Sequence, residues 1–150
     1  MYFSRTAIFL LPLMVLAGLT SGCADYMARM TVNNMKPIFE DMRSTTNANR
    51  DYETVRDAMP NVLIQMDGFI ETSPDNRYLL ASAAEANIGY AFLFVEDNDK
   101  ERAKGIYLKG REYALRNLKR TKTFEQAFNQ NDNEVFKRAL KTIHKRDITA

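Results

Sequence analysis

Between Arg77 and Leu118 the apolar residues follow two rhythms. From Tyr78 to Val95 they fall on nearly every side of a helical wheel, with one Gly and no Pro. A helix apolar all round belongs among other helices. From Asp99 to Leu118 the pattern turns amphipathic. Ala103, Ile106, Tyr107, Gly110, Tyr113, Ala114 and Leu118 recur at steps of three and four, and Lys104, Lys109, Glu112, Arg116 and Lys119 mostly take the opposite side. The polar run Glu96-Asp97-Asn98-Asp99 predicts a turn between them, with Asn98 as N-cap and Glu101 completing a capping box. Acidic residues lead the second helix and basic residues end it, as the helix dipole favours. The stretch predicts a helical hairpin, and the chain is organised around it.

The flanking chain carries the same period. Met27, Met30, Met35, Ile38, Phe39 and Met42 predict an amphipathic helix from Tyr26 to Met42, kinked at Pro37. Its four methionines suit an adaptable binding surface or, more plainly, core. Ser44 to Arg50 is polar and reads as a loop. Asp51 to Thr72 carries Val55, Ala58, Met59, Val62, Leu63, Met66, Phe69 and Ile70 on one stripe, with a bend or break expected near Ala58 because of Pro60. Ser73 is the expected cap of the next helix, with Pro74 at its first position. Beyond the hairpin, Lys119-Arg120-Thr121-Lys122 joins Arg111 and Arg116 in a basic cluster. It suits anionic lipid heads or an acidic partner, or more plainly a solvated helix end. Thr123 to Asn129 predicts a short helix capped by Thr123 with Gln126. Asn131 with Glu134 repeats the box before a last helix, Glu134 to His144, burying Val135, Phe136, Ala139, Leu140 and Ile143.

Within the hairpin, small and aromatic residues sit at set intervals. Ala91, Phe94, Ala103, Tyr107 and Gly110 are spaced three, nine, four and three apart, the spacing of a tetratricopeptide repeat. Small side chains at Ala91, Ala103 and Gly110 let two backbones approach, and the rings of Phe94 and Tyr107 fill the space beside them. Leu115 stands where such a repeat normally ends in Pro, and a generic helical hairpin remains the alternative. No long period-2 run is visible, and Gly and Pro number only 6 and 4. The fold class expected is all-α, built of tetratricopeptide-like helical hairpins (an α-solenoid).

The first 22 residues break this pattern. Arg5 precedes an apolar run from Ala7 to Leu19, interrupted by Pro12 and Gly18. Its 13 residues fall short of the roughly 20 needed to span a bilayer, so it reads as a targeting segment. Leu19-Thr20-Ser21-Gly22-Cys23 resembles the bacterial lipobox, with cleavage before Cys23 and acylation of its thiol. Thr20 departs from the usual aliphatic residue there, and an ordinary signal peptide with an incidental Cys is the alternative. Residues 1–22 are therefore expected to be a lipoprotein signal peptide and residues 23–150 the helical domain. Acyl chains contribute about 0.8 kcal/mol per buried methylene and would hold the mature chain on a membrane surface. Ala24 replaces the Asp of the inner-membrane retention signal, which favours the periplasmic face of the outer membrane.

Charge and chemistry narrow the function. The 21 basic and 19 acidic residues give +2, or +1 once Arg5 is lost, and suggest no nucleic-acid partner. One Cys excludes an internal disulfide. One His, His144, has no supporting neighbour for catalysis. Glu96, Asp97, Asp99 and Glu101 are the best carboxylates for an enzyme or a metal site. They lie where capping alone places acids, with no convergent His, Cys pair or phosphate loop and without calcium-loop spacing. No enzyme activity, cofactor or metal is expected.

Leu79-Leu80-Ala81, Gly89-Tyr90-Ala91-Phe92, Phe94-Val95-Glu96-Asp97, Glu101-Arg102-Ala103, Tyr107 and Gly110-Arg111-Glu112-Tyr113-Ala114-Leu115 resemble the T component associated with TRAP transporters, the TatT family. Tyr90 to Leu118 is the most specific part, and weaker similarity continues through Lys145 to Ile148. The resemblance implies a lipid-anchored periplasmic protein with a tetratricopeptide-like fold. It implies a homotrimer that docks the transporter's substrate-binding protein and handles a small hydrophobic ligand at residues the sequence does not name. Family members usually continue into further hairpins, so an incomplete repeat array is expected here. The competing function is a scaffold lipoprotein for envelope assembly with no solute ligand.

Overall fold

A computed structural model describes residues 23–130 and 132–143, and every regular element among them is helical. Residues 1–22, with Arg5 and the lipobox approach to Cys23, lie outside the described residues. So do Asn131, His144 and the Lys145–Ile148 stretch. Helix α1 covers residues 23–33 and α2 Lys36–Ala48. Then follow α3 Tyr52–Thr72, α4 Arg77–Tyr90 running on into a π-helical segment Ala91–Val95, α5 Lys100–Leu118, α6 Lys122–Gln130 and α7 Asn133–Thr142.

Helix α4 is the centre. Leu79, Leu80, Ala83 and Ala84 are buried on it. Met66 and Ile70 of α3, Phe39 of α2, Val32 of α1 and Tyr113 of α5 pack against them. A second cluster joins Leu63 of α3 to Tyr90, Val95 and Ala103. Arg77–Val95 is long and apolar enough to cross a membrane by composition, but half of it is buried inside the protein, as in a core helix. It is not buried all round, since Ile88, Phe92 and Leu93 are exposed.

The α4–α5 hairpin closes at Gly110. A Cβ on that residue would stand 3.0 Å from Ile88 Cγ1, 3.2 Å from the Ala84 carbonyl and 3.3 Å from Asn87 Cβ. A methyl there would make the Ile88 side chain and the α4 backbone give by a few tenths of an ångström. This close approach brings the next face of α5 within reach of α3. Lys109 and Tyr113 both donate to the Asp67 carboxylate, the latter at 2.7 Å. One and two turns on, Arg116 donates to the Pro74 carbonyl (2.8 Å) and Arg120 to Asp75 (2.7 Å). Spaced four, three and four apart, these side chains line one face of α5. The basic cluster is thus engaged in packing at these two arginines, and Lys119 lies 4.3 Å from the centre of the Phe128 ring.

Several boundaries depart from the sequence expectation. The first helix breaks at Asn34–Met35 instead of kinking at Pro37, which enters the first turn of α2, where its missing N–H costs nothing. Ser44 to Ala48 are helical, not loop. Met27, Met30 and Met42 are substantially exposed, so the methionine stripe is not plain core, and Ala58 is exposed too. Helix α3 runs through Pro60 without a break. Ser73 ends α3, and Asn76 caps α4 by accepting from the Leu79 amide (3.1 Å), so Pro74 lies in the loop. Asp99, not Asn98, caps α5, accepting from the Arg102 amide (3.0 Å). Thr123 lies inside α6. Asp132 caps α7, accepting from the Glu134 and Val135 amides. At α4, α5 and α7 the cap moves by one to three residues to an Asx side chain, a type that caps well. On α7 only Ala139 is buried, and Leu140 is exposed.

Tyr107 ties α5 back to the hairpin turn by donating to Glu96. That bond, then desolvation and the Glu96 charge, raise the Tyr107 pKa to about 12. Burial first, then the bond to Asp67, pushes Tyr113 up as well.

Two measurements check this packing. Gly110→Leu should lower stability by at least about 1 kcal/mol. Gly105→Ala faces open space within α5 and should raise it by about 0.5–1 kcal/mol. Opposite shifts of the thermal midpoint are expected, and an unchanged midpoint for Gly110→Leu refutes the seam. Alkaline unfolding checks the phenols. Their folded pKa values are raised, so their contribution is complete below the ordinary value of about 10 and is lost as pH climbs through the folded value. Tyr107→Phe should flatten the loss of stability between pH of about 10 and 12; an unchanged profile rules out the Glu96 bond.

Candidate functional site

Helices α2, α3 and α4 enclose a groove of about 750 Å³, in the range of small-molecule sites. Local sequence explains its length. No Gly stands in α2, and the one Gly of α3, Gly68, faces open space, so both run as unbroken walls beside α4. The lining of α4 extends from Tyr78 to Phe94, roughly 20 Å along the helix.

Each end of the groove is aromatic. At one end Phe39 meets Phe69 edge-on at 5.2 Å and lies 6.3 Å from Tyr78. At the other, Phe94 lies 4.6 Å from Tyr52 and 5.8 Å from Tyr90. Between them run Met42, Met59, Val62, Met66 and Ala86. Methionine's unbranched, polarizable side chain suits an adaptable wall.

The π segment makes the second end. The Glu96 amide bonds the Ala91 carbonyl (2.9 Å), five residues back. The extra residue turns Phe94 inward and leaves Phe92 and Leu93 exposed. The Leu93 carbonyl accepts from the Tyr52 hydroxyl across the groove end. π segments of this kind occur frequently at functional sites.

Polar side chains also line the groove, with Thr46, Asn47 and Asn49 at the end of α2. Arg43 of α2 and Glu85 of α4 pair at 3.0 Å on the rim, both exposed. Arg50 lines the end near Tyr52 and pairs with no carboxylate among the described residues. Gln65 and Ser82 also line the groove. Asp51, beside Arg50, caps α3, and its bonds from Thr54 hold its carboxyl below the usual range.

Of the five expected packing residues, the structure joins Phe94, Ala103 and Tyr107 in one cluster. Ala91 is fully buried, and Gly110 works separately at the α4–α5 seam. Phe94 alone of the five lines the groove. Cys23 is exposed at the start of α1. The turn carboxylates do not converge: Glu96 takes the Tyr107 hydroxyl, Asp99 caps α5 and Glu101 pairs with Lys104 at 3.6 Å. Among the described residues no cluster of His, Cys, Asp and Glu suits a metal ion. The sequence pattern does not mark the groove. Its one local sign was the exposed aromatic and methionine content of α2 and early α3, which periodicity assigns to core.

No curated protein and no solved structure matches the chain. A family model described as TRAP transporter T-component matches residues 48–150, from the end of α2 to the C-terminal residue. That span contains the α3 and α4 walls of the groove and the whole α4–α5 hairpin, and by it the chain belongs to the TRAP transporter T-component family.

Proposed function

We propose that this protein is a lipid-anchored periplasmic accessory component of a TRAP-type solute transporter, which docks the substrate-binding protein and holds a small hydrophobic ligand between α2, α3 and α4. Family membership supplies the coarser part: an accessory role in a TRAP transporter and a membrane-associated, periplasm-facing setting. The groove is the observation that carries the ligand. Its walls are aromatic and methionine-rich, and it is roughly 20 Å long, more than a compact polar solute needs.

The lipobox supports an acyl anchor on Cys23, and Ala24 beside it favours the outer membrane. Exposed Ile88 and Phe92, one turn apart on the outer side of α4, give a docked protein or a second copy of the chain apolar surface to cover. The homotrimer follows from the family resemblance, as does reading the α4–α5 hairpin as a tetratricopeptide-like unit packed through Ala91, Phe94, Ala103, Tyr107 and Gly110. A scaffold for envelope assembly would need no ligand groove.

Three outcomes are expected. Cys23→Ser should move the protein from the membrane to the soluble fraction; palmitate label still entering the variant refutes the anchor. Gly89 lines the groove, and a Cβ there meets nothing within 4 Å. Gly89→Trp should therefore fill the groove, keep the thermal midpoint within a few degrees and cut binding of an apolar naphthylamine dye at least tenfold. Undiminished dye binding refutes the groove as the ligand site. Affinity capture from solubilised membranes should recover a periplasmic solute-binding protein, whereas recovery of outer-membrane assembly factors would favour the scaffold.

A further inference from the structure

The groove has a direction. Phe39 lies beside Tyr78, Arg43 pairs with Glu85 at 3.0 Å, and the Tyr52 hydroxyl donates to the Leu93 carbonyl. Helix α2 and the loop after it therefore run along α4 in the same sense. The path starts apolar, where Phe39, Phe69 and Tyr78 meet. Toward its other end the α2 side turns polar, with Thr46, Asn47, Asn49 and Arg50 lining it in succession.

Most of the polar capacity at that end is already committed. The Thr46 hydroxyl donates to the Met42 carbonyl (2.8 Å), and Asn49 Oδ1 accepts from the Asp51 amide (2.8 Å). The Asp51 carboxylate accepts from the Thr54 amide and hydroxyl at the start of α3. Of the charged side chains lining the groove, Arg43 and Glu85 offset each other. Arg50 is exposed and makes no ion pair among the described residues, so the lining carries one uncompensated positive charge at this end. A guanidinium has five N–H donors and no acceptor.

We propose that the groove takes a single-chain amphiphile with a singly charged anionic head, its head against Arg50 and its hydrocarbon tail toward Phe39, Phe69 and Tyr78, and that Arg50 selects for the anion. This rests on the groove being the ligand site. The guanidinium fork matches a carboxylate with two parallel hydrogen bonds. A phosphate monoester brings a charge of roughly −1.5 to −2, more than one arginine offsets. Because the Arg50 end is exposed, the head keeps part of its hydration while the tail is enclosed between α2, α3 and α4.

The test uses the mature chain carrying Cys23→Ser and displacement of the naphthylamine dye by myristate, its methyl ester, tetradecylamine and tetradecyl phosphate. Myristate should bind about fivefold to tenfold tighter than its ester, the worth of one partly solvated charge-assisted pair. That margin should shrink at high salt. Arg50→Gln should erase it and leave the ester within about twofold. Arg50→Glu should reverse the order, so that the amine binds tighter than myristate. Arg56→Gln, at a cation that pairs with Asp57 and does not line the groove, should leave the margin unchanged. Equal binding of myristate and ester, with the dye still displaced, overturns the anionic head and leaves the groove standing. A margin that survives in Arg50→Gln overturns the assignment to Arg50, and tighter binding of the phosphate than of myristate overturns the single charge. Failure of the dye and every chain to bind overturns the groove reading, and this inference with it.

Discussion

Everything in this molecule depends on how closely α5 can lie on α4. Three atoms of α4 stand within 3.3 Å of where a side chain on residue 110 would begin. Glycine there lets the two backbones meet, and the meeting has a consequence on the far side of α5. Lys109, Tyr113, Arg116 and Arg120 come within reach of α3 and its C-terminal loop, and they bind it at Asp67, Pro74 and Asp75. Helix α4 is thereby held by α5 on one flank and by α3 on the other. Its remaining side is left to form a groove wall.

The π segment decides what that wall presents. An unbroken α-helix from Arg77 to Val95 would carry its register unchanged to the turn. The inserted residue rotates the end of α4, so Phe94 faces Tyr52 and Tyr90 while Phe92 is left exposed. The Leu93 carbonyl, without a helical amide, takes the Tyr52 hydroxyl instead. One local distortion thus builds an aromatic end to the groove and ties α3 to α4 there.

The hairpin was legible because its signals are local and periodic. Apolar residues at Ala103, Ile106, Tyr107, Gly110 and Tyr113 recur at helical steps, and all are buried or half-buried where the pattern puts them. Cap positions were legible only to within a few residues. The chain around each turn offers several side chains able to cap: Ser73 and Asn76 before α4, Asn98 and Asp99 before α5. Backbone direction at the turn selects among them, and no propensity encodes it. The π segment has no composition of its own; Ala91-Phe92-Leu93-Phe94-Val95 is a plausible α-helix until the turn after it is packed. The groove was least legible. Phe39, Met59 and Phe94 each read as core by periodicity, and only their assembly from three helices shows that they face a cavity.

The three walls are not held equally, and the inequality bears on what the groove is for. The α3 and α4 walls share two buried clusters and fall within the family match. Helix α2 lies almost wholly outside that match. It is anchored at one end by buried Phe39 against Phe69, and α1 adds Asn33 Oδ1 accepting from Ser73 and Asn76. Farther along, its tie to α4 is the Arg43–Glu85 pair, and exposed pairs of that kind contribute about 0–1 kcal/mol. The aromatic contact adds about 0.5–1.5 kcal/mol. The far end of α2 is therefore the least secured part of the enclosure, and Met42 and Thr46 on it line the groove. A molecule lying along the groove touches both the firm walls and the loose one. It stabilises the closed arrangement by mass action in proportion to those added contacts. On the proposed function, an outward movement of α2 would open the groove while the α4–α5 seam that organises the fold stays shut.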